Sequence, residues 1–168
     1  MMTRSLRRAG VLALSLATLA LSACGFRPLY AEPGVTLGLS DIDVPSPRGR
    51  AGYLVTQALN DALATRPGAS GWRLDLDLSE QRFPRGLRVD NVATRYEYVL
   101  TAAYTLRAGA TGEPAKTGRV RVELTYDSAD QPYASITAQQ DAQERAAAEA
   151  ARRIQLELAA WFADQAEP

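Results

Sequence analysis

The chain has 168 residues, with 19 basic and 19 acidic side chains, no histidine and a single cysteine. This length is enough for one domain with a hydrophobic core, and the balanced charge does not favour nucleic acid as a partner. The lack of histidine removes the commonest general base and the commonest metal ligand, and a single cysteine excludes an internal disulfide.

The first predicted element is a secretory signal. Arg4, Arg7 and Arg8 give a positively charged start, and residues 11–21 form an apolar run without charge. This order is typical of a signal peptide that is cleaved, and the run is shorter than the roughly 20 apolar residues of a spanning helix. We therefore expect residues 1–23 to be removed. Cleavage takes away three basic residues and no acidic one, which leaves a net charge of −3.

The end of the signal carries the chain's single cysteine. Leu21-Ser22-Ala23-Cys24 resembles a bacterial lipobox. The resemblance implies that the Cys24 thiol receives a diacylglycerol, that cleavage occurs just before it, and that the new amino terminus is acylated. A lone cysteine is more often a small buried core residue, but a cysteine beside a cleaved signal has no core to join. One acyl chain binds a membrane marginally, whereas several anchor a protein stably.

The mature chain is predicted to start with a lipidated tether over residues 24–36, which is interrupted by prolines and a glycine, and to continue as one domain over residues 37–168. Residues 39–44 alternate as a short strand that ends at Pro45. Ser46 is the expected N-cap of the next helix, with Pro47 at its first position. An apolar stripe then continues to Leu63, before Arg66-Pro67-Gly68 stops the helix.

Three alternating strands are predicted next, followed by a long helix. The strands cover residues 72–79, 95–106 and 119–126, and a turn over 108–117 predicts that the last two pair as an antiparallel hairpin. Residues 137–162 are rich in good helix formers, which predicts a helix of roughly 38 Å. The resulting order is β-α-β-β-β-α. We expect an α+β fold in which two helices pack on one face of a four-stranded mixed sheet.

The chain shows no motif for catalysis, so we expect a protein that is not an enzyme and that holds no metal. Phosphate-binding, dinucleotide-binding and serine-nucleophile motifs are all missing. Asp75 and Asp77 share one strand face, but two carboxylates without further ligands are more often solvated residues. Beyond the covalent lipid on Cys24, no cofactor is expected. The unusual charge feature is a basic band over residues 82–121, which hold eight basic and three acidic residues.

The residues that follow the cysteine carry a more specific resemblance. Cys24-Gly25-Phe26-Arg27-Pro28-Leu29-Tyr30 is similar to the mature start of the LptE family of lipopolysaccharide-assembly lipoproteins, in its alphaproteobacterial form. Lipidation does not require the residues after the cysteine, so their match is informative. The resemblance implies two helices against a four-stranded sheet. It also implies a lipid-anchored protein on the periplasmic side of the outer membrane, which plugs the LptD barrel, helps its assembly and assists delivery of lipopolysaccharide to the outer leaflet.

The same resemblance implies contact with lipopolysaccharide through a basic loop between the second and third strands. That loop is residues 82–94, and Arg88 is the closest match, with Arg82 and Arg85 beside it. Arginine forks suit phosphate groups, although an ordinary solubilising loop, or one against the barrel wall, would have the same composition. The family's basic residue near the start of the last helix is missing from residues 137–141.

Two other functions are compatible with a lipid-anchored domain of this kind. A periplasmic lipid-transport accessory lipoprotein would work with an ABC-type importer of the inner membrane. A lipid-anchored hydrolase would need a nucleophile and a base, which the chain does not show. We take the LptD plug as the leading hypothesis and the transport accessory protein as the alternative.

Overall fold

The computed structural model describes residues 33–87, 93–110, 112–128 and 132–166. The predicted lipidation site Cys24 and the predicted contact residue Arg88 lie outside these ranges. The elements, in chain order, are helix α1 (Pro33–Ser40), strand β1 (Ile42–Asp43), helix α2 (Arg50–Leu63), strands β2 (Trp72–Leu87), β3 (Ala93–Ala108) and β4 (Pro114–Asp127), and helix α3 (Pro132–Ala166).

The strands form one four-stranded sheet in the order β1-β2-β3-β4. The short strand β1 pairs in parallel with the start of β2, through Ile42 opposite Trp72. Strands β2, β3 and β4 pair antiparallel over almost their whole length. The sheet is therefore mixed, and the predicted hairpin of the last two strands is confirmed. This is the α+β fold expected from the sequence.

The core lies between the inner face of the sheet and the helices. Leu74, Leu100, Leu106 and Val122 project from the strands, and each is at most 2% exposed. They belong to one cluster with fully buried residues of α3, which include Ile154 and Leu158. Fully burying one such side chain contributes about 1.5–3 kcal/mol. The apolar face of the strands thus packs against the apolar stripe of α3, as predicted.

One end of this core is closed by aromatic rings. Trp72 at the start of β2 makes edge contacts with Trp161 and Phe162 of α3, at ring-centroid distances of 5.4 and 5.5 Å. Helix α1 packs on the same place, because a Cβ on Gly38 would lie 2.8 Å from the Phe162 ring. We call this the body end of the molecule. The opposite end, where β2 passes into β3 and α3 begins, is the hairpin end.

The structure has three helices where two were predicted, since residues 33–40 form α1. Four of these residues belong to the range predicted as a tether, and Val35 among them is fully buried. The strand predicted over residues 39–44 is correspondingly reduced to Ile42–Asp43. Val35 and Leu39 are one helical turn apart and both reach the core, so packing stabilises a segment of weak intrinsic helix propensity.

Helix α2 begins at Arg50, later than predicted. Its N-cap residue is Gly49, which has a φ of 94° and makes no side-chain capping bond. The predicted cap Ser46 instead donates its hydroxyl to the carbonyl of Pro47, at 3.3 Å. The predicted C-terminal end is correct, because Ala64 takes a left-handed conformation directly after Leu63 and ends the helix.

Strand β2 and helix α3 are both longer than predicted. Strand β2 continues to Leu87, so residues 82–87 of the predicted loop belong to a strand. Helix α3 has 35 residues, which corresponds to a length of about 52 Å. In the part of the chain that the structure describes, no helix is long and apolar enough to cross a membrane.

Candidate functional site

The sheet has a second face, opposite the helices, which we call the outer face. It is formed by the odd-numbered residues of β2, β3 and β4, because paired residues of neighbouring strands point to the same side. Most of these side chains are charged or carry hydroxyl groups, as in an antiparallel sheet with one solvated face. An exception is Val99, which is 1% exposed between the register partners Gln81 and Glu123.

Ion pairs within the outer face neutralise most of its charges. Asp75 is contacted by Arg73 and Arg107, at 2.8 and 3.2 Å. Three further pairs lie along the sheet and join Arg85 with Glu97, Arg95 with Asp127, and Arg121 with Glu123. Exposed pairs of this kind each contribute at most about 1 kcal/mol. Their larger effect is to give this face a fixed pattern of charge.

Two charged residues of the outer face depart from this pattern. The side chains of Asp77 and Arg119 have no hydrogen-bond or ion-pair partner among the described residues, and both are exposed. Ala103 on β3 pairs with Asp77 on β2 at one side and with Arg119 on β4 at the other. The backbones of Asp77 and Arg119 are therefore two strand spacings apart, about 10 Å. The small Ala103 leaves a shallow depression of 260 Å³ between them, whose walls include Ser79, Gln81, Thr101 and Arg121.

The hairpin end holds the described part of the predicted arginine site. Arg82 and Arg85 are both exposed, but they project from opposite faces of β2. Arg82 lies on the inner side, where it donates to the Gln139 amide at 2.8 Å and stacks 4.9 Å from the centroid of the Tyr96 ring. Arg85 lies on the outer side beside Phe83 and is neutralised by Glu97. The structure therefore does not bring the two guanidinium groups together.

A hydrogen-bond network that includes the buried Tyr98 joins the hairpin end to α3. The Tyr98 hydroxyl donates to Glu80 Oε2 at 2.5 Å, and Gln143 Nε2 of α3 donates to the same oxygen at 3.2 Å. Burial of Tyr98, together with its bond to Glu80, raises the pKa of its phenol well above the usual range. Tyr98 therefore stays a neutral donor and, with Gln143, fixes the position of the Glu80 carboxylate.

The hairpin end also exposes large apolar side chains, which the sequence reasoning did not single out in α3. Tyr133 and Ile136 in the first turns of α3 are 87% and 53% exposed, and Phe83 on β2 is 39% exposed. Tyr133 and Ile136 are three residues apart, so they lie on one side of the helix. This pair was not identified from the sequence because both residues precede the predicted start of the helix at residue 137, whereas α3 begins at Pro132.

A comparison with protein families decides which family this fold represents. The model of the LptE family, described as lipopolysaccharide-assembly, matches residues 36–158. The chain belongs to the LptE family. This is the family expected from the residues around Cys24, although the matched range begins after them. LptE proteins are non-enzymatic lipoproteins, so membership gives this chain a role in lipopolysaccharide assembly as a membrane-associated lipoprotein.

Solved structures agree with this assignment to the LptE family. A lipoprotein from Caulobacter crescentus CB15 is 51% identical, with a TM-score of 0.70, over 80% of this chain and 99% of that one. The rare lipoprotein B from Shewanella oneidensis has 16% identity and a TM-score of 0.56, over 74% and 96% of the two chains. Lipoprotein B from Nitrosomonas europaea has 12% identity and a TM-score of 0.55, over 73% and 83%.

The last two likenesses show the shared fold alone, because their identities are low. A search of curated protein sequences returned no match. In the described residues, no three acidic, histidine or cysteine side chains come close enough together to hold a metal ion.

Proposed function

We propose that this LptE-family protein is an outer-membrane lipoprotein that plugs the LptD barrel, helps the barrel to assemble and assists insertion of lipopolysaccharide into the outer leaflet. The observation that carries the proposal is the family match over residues 36–158. In this role the protein binds and positions its partners and catalyses no reaction. The lipid attached covalently to Cys24 is its membrane anchor and holds the protein at the periplasmic side of the outer membrane.

The outer face of the sheet supports a role inside a barrel. The lumen of a large outer-membrane barrel is polar, and a plug must present polar surface to it. Strands β2, β3 and β4 offer a broad surface on which ion pairs such as Arg121 with Glu123 lie flat along the sheet. Such a surface meets a polar wall without burying unpaired charge, apart from the two residues at the central depression.

The partner can be tested by co-purification. The full chain, carrying an affinity tag at its C-terminus, is purified from membranes in mild detergent, and the proteins that accompany it are identified by mass spectrometry. We expect the LptD barrel in a stoichiometric amount, and loss of surface lipopolysaccharide when the lipoprotein is depleted. Recovery of inner-membrane transporter subunits in place of the barrel would favour the lipid-transport accessory role. Normal surface lipopolysaccharide after depletion would contradict the proposal.

We propose that lipopolysaccharide contacts the hairpin end through the arginines predicted from the family, which are Arg82, Arg85 and Arg88. The contacts of Arg82 and Arg85 indicate which of the two should contribute more to binding. Glu97 already forms an ion pair with Arg85, whereas the contacts of Arg82 among the described residues are the neutral Gln139 amide and the Tyr96 ring. The exposed Tyr133 and Ile136 lie on the nearby start of α3, where acyl chains could pack.

We expect Arg82→Ala to weaken binding of purified lipopolysaccharide roughly tenfold, because one charge-assisted contact is lost. Arg85→Ala should have a smaller effect, since that guanidinium group is already paired. Arg66→Ala, at the body end, is the matched control and should bind normally. Displacement of a fluorescent lipid probe measures affinity at several salt concentrations. Equal affinity of Arg82→Ala and the unchanged protein at low and high salt would contradict this contact.

A further inference from the structure

The depression on the outer face has a charge pattern that the protein itself does not complete. Among the described ionisable residues of this face, Asp77 and Arg119 lack a partner, and the others are paired within the sheet. The backbones of Asp77 and Arg119 are about 10 Å apart, and their side chains form no ion pair with each other in the structure. A surface pressed against this face would remove water from both charges, which costs free energy unless that surface supplies their partners.

The signs of the two charges indicate what kind of surface fits. A phosphate group would be attracted by Arg119 and repelled by Asp77, so the depression does not suit a ligand that carries negative charge alone. A protein surface can present both signs at the required separation. Because the side chains of neighbouring β-strands are about 4.8 Å apart, a barrel wall can place an acid and a base two strands apart, opposite the same spacing in this sheet.

We infer that the depression centred on Ala103 docks against the inner wall of the barrel, which presents a basic side chain to Asp77 and an acidic side chain to Arg119. This inference rests on the proposed function, since the partner is the LptD barrel. The hydroxyl groups of Ser79 and Thr101 and the amide of Gln81 line the floor and walls of the depression. They supply hydrogen bonds to a side chain of the wall that enters above Ala103.

Charge reversal on one side of the contact tests the inference. Full-length Asp77→Lys, Arg119→Glu and the double variant are each co-expressed with the cognate barrel, and the barrel recovered per lipoprotein is measured over a series of salt concentrations. Each single reversal replaces an attraction by a repulsion, for which we expect a loss of roughly tenfold. The double variant should stay low, because both charges face the barrel and not each other. Arg119→Lys keeps the charge and should retain the barrel.

Each outcome has a definite meaning, provided that thermal melting shows every variant folded. Recovery restored in the double variant would mean that the two residues act on each other, which overturns the inference. Equal barrel recovery for all variants would overturn it as well, while the proposed function stands. Failure of the unchanged protein to recover any barrel would overturn both. Reversals that dissociate a dimer of this chain, with barrel recovery unchanged, would assign the depression to a second copy and overturn the inference.

Discussion

Replacing Cys24 with alanine should remove the covalent lipid from the protein completely. In the proposed lipoprotein the lipid is joined to the thiol sulfur. Alanine offers no atom for this bond, so the signal should stay uncut or the cleaved chain should leave the membrane. Each buried methylene contributes about 0.8 kcal/mol of membrane affinity, so the loss of three acyl chains leaves no comparable interaction. The measurement is the intact mass of the purified protein, together with its distribution between membrane and soluble fractions after a high-salt wash.

Ser22→Ala is the matched control for this prediction. It keeps a small residue two positions before the cysteine and keeps the thiol, so its lipid mass and membrane fraction should match those of the unchanged protein. A Cys24→Ala protein that keeps the lipid mass and sediments with membranes would contradict the lipobox assignment. The folded domain over residues 36–158 would still belong to its family, because that match does not include the cysteine.

An added side chain at Gly118 should destabilise the folded protein. Gly118 is the register partner of Tyr104, whose ring covers it, and a Cβ built there would lie 2.6 Å from Tyr104 Cε1 and closer still to the rest of the phenol. Tyr104 is 2% exposed and is bonded to Glu157 of α3, so its ring has no free space to move into. Overpacking of this kind costs about 1–3 kcal/mol.

We expect Gly118→Ala to lower the free energy of unfolding by about 2 kcal/mol, and Gly118→Val by more, measured by urea denaturation of the soluble domain. Thr117→Ala, at the neighbouring exposed position, should change it by at most about 0.5 kcal/mol. In a Tyr104→Ala background the ring is gone, so the added cost of Gly118→Ala should largely disappear. An equal cost in both backgrounds would show that the strand backbone, and not the ring, disfavours a side chain there.

The three long strands could be predicted from their apolar–polar alternation, and the long helix from its run of good helix formers. The extension of β2 to Leu87 could not, since Pro84 and Gly86 are typical of loops. Proline is tolerated on edge strands, and beyond Arg73 no described strand pairs with the other side of β2. Helix α1 was missed for a different reason. Its residues have weak helix propensity, and it is packing against Phe162 that stabilises them.

The candidate site depended on strand register, which the sequence does not contain. Asp77 could be recognised as an outer-face carboxylate, but its relation to Arg119 requires that both pair with Ala103. The arginines of the predicted loop show the same limit. Their residue types suggested an anion site, whereas the strand extension places Arg82 and Arg85 on opposite faces, and no pattern of residue types encodes that separation.

The body end and the hairpin end are separated by the length of the paired strands. The described chain begins at the body end, where Ile42 pairs with Trp72. Arg85 lies thirteen residues further along β2, a path of about 40 Å. The hydrocarbon core of a bilayer is about 30 Å thick. In the proposed complex, a lipid anchor in the periplasmic leaflet would hold the body end, and the paired strands would be long enough to reach the level of the opposite leaflet. In a plugged barrel, the length of β2 would determine how far Arg85 lies from the anchored end.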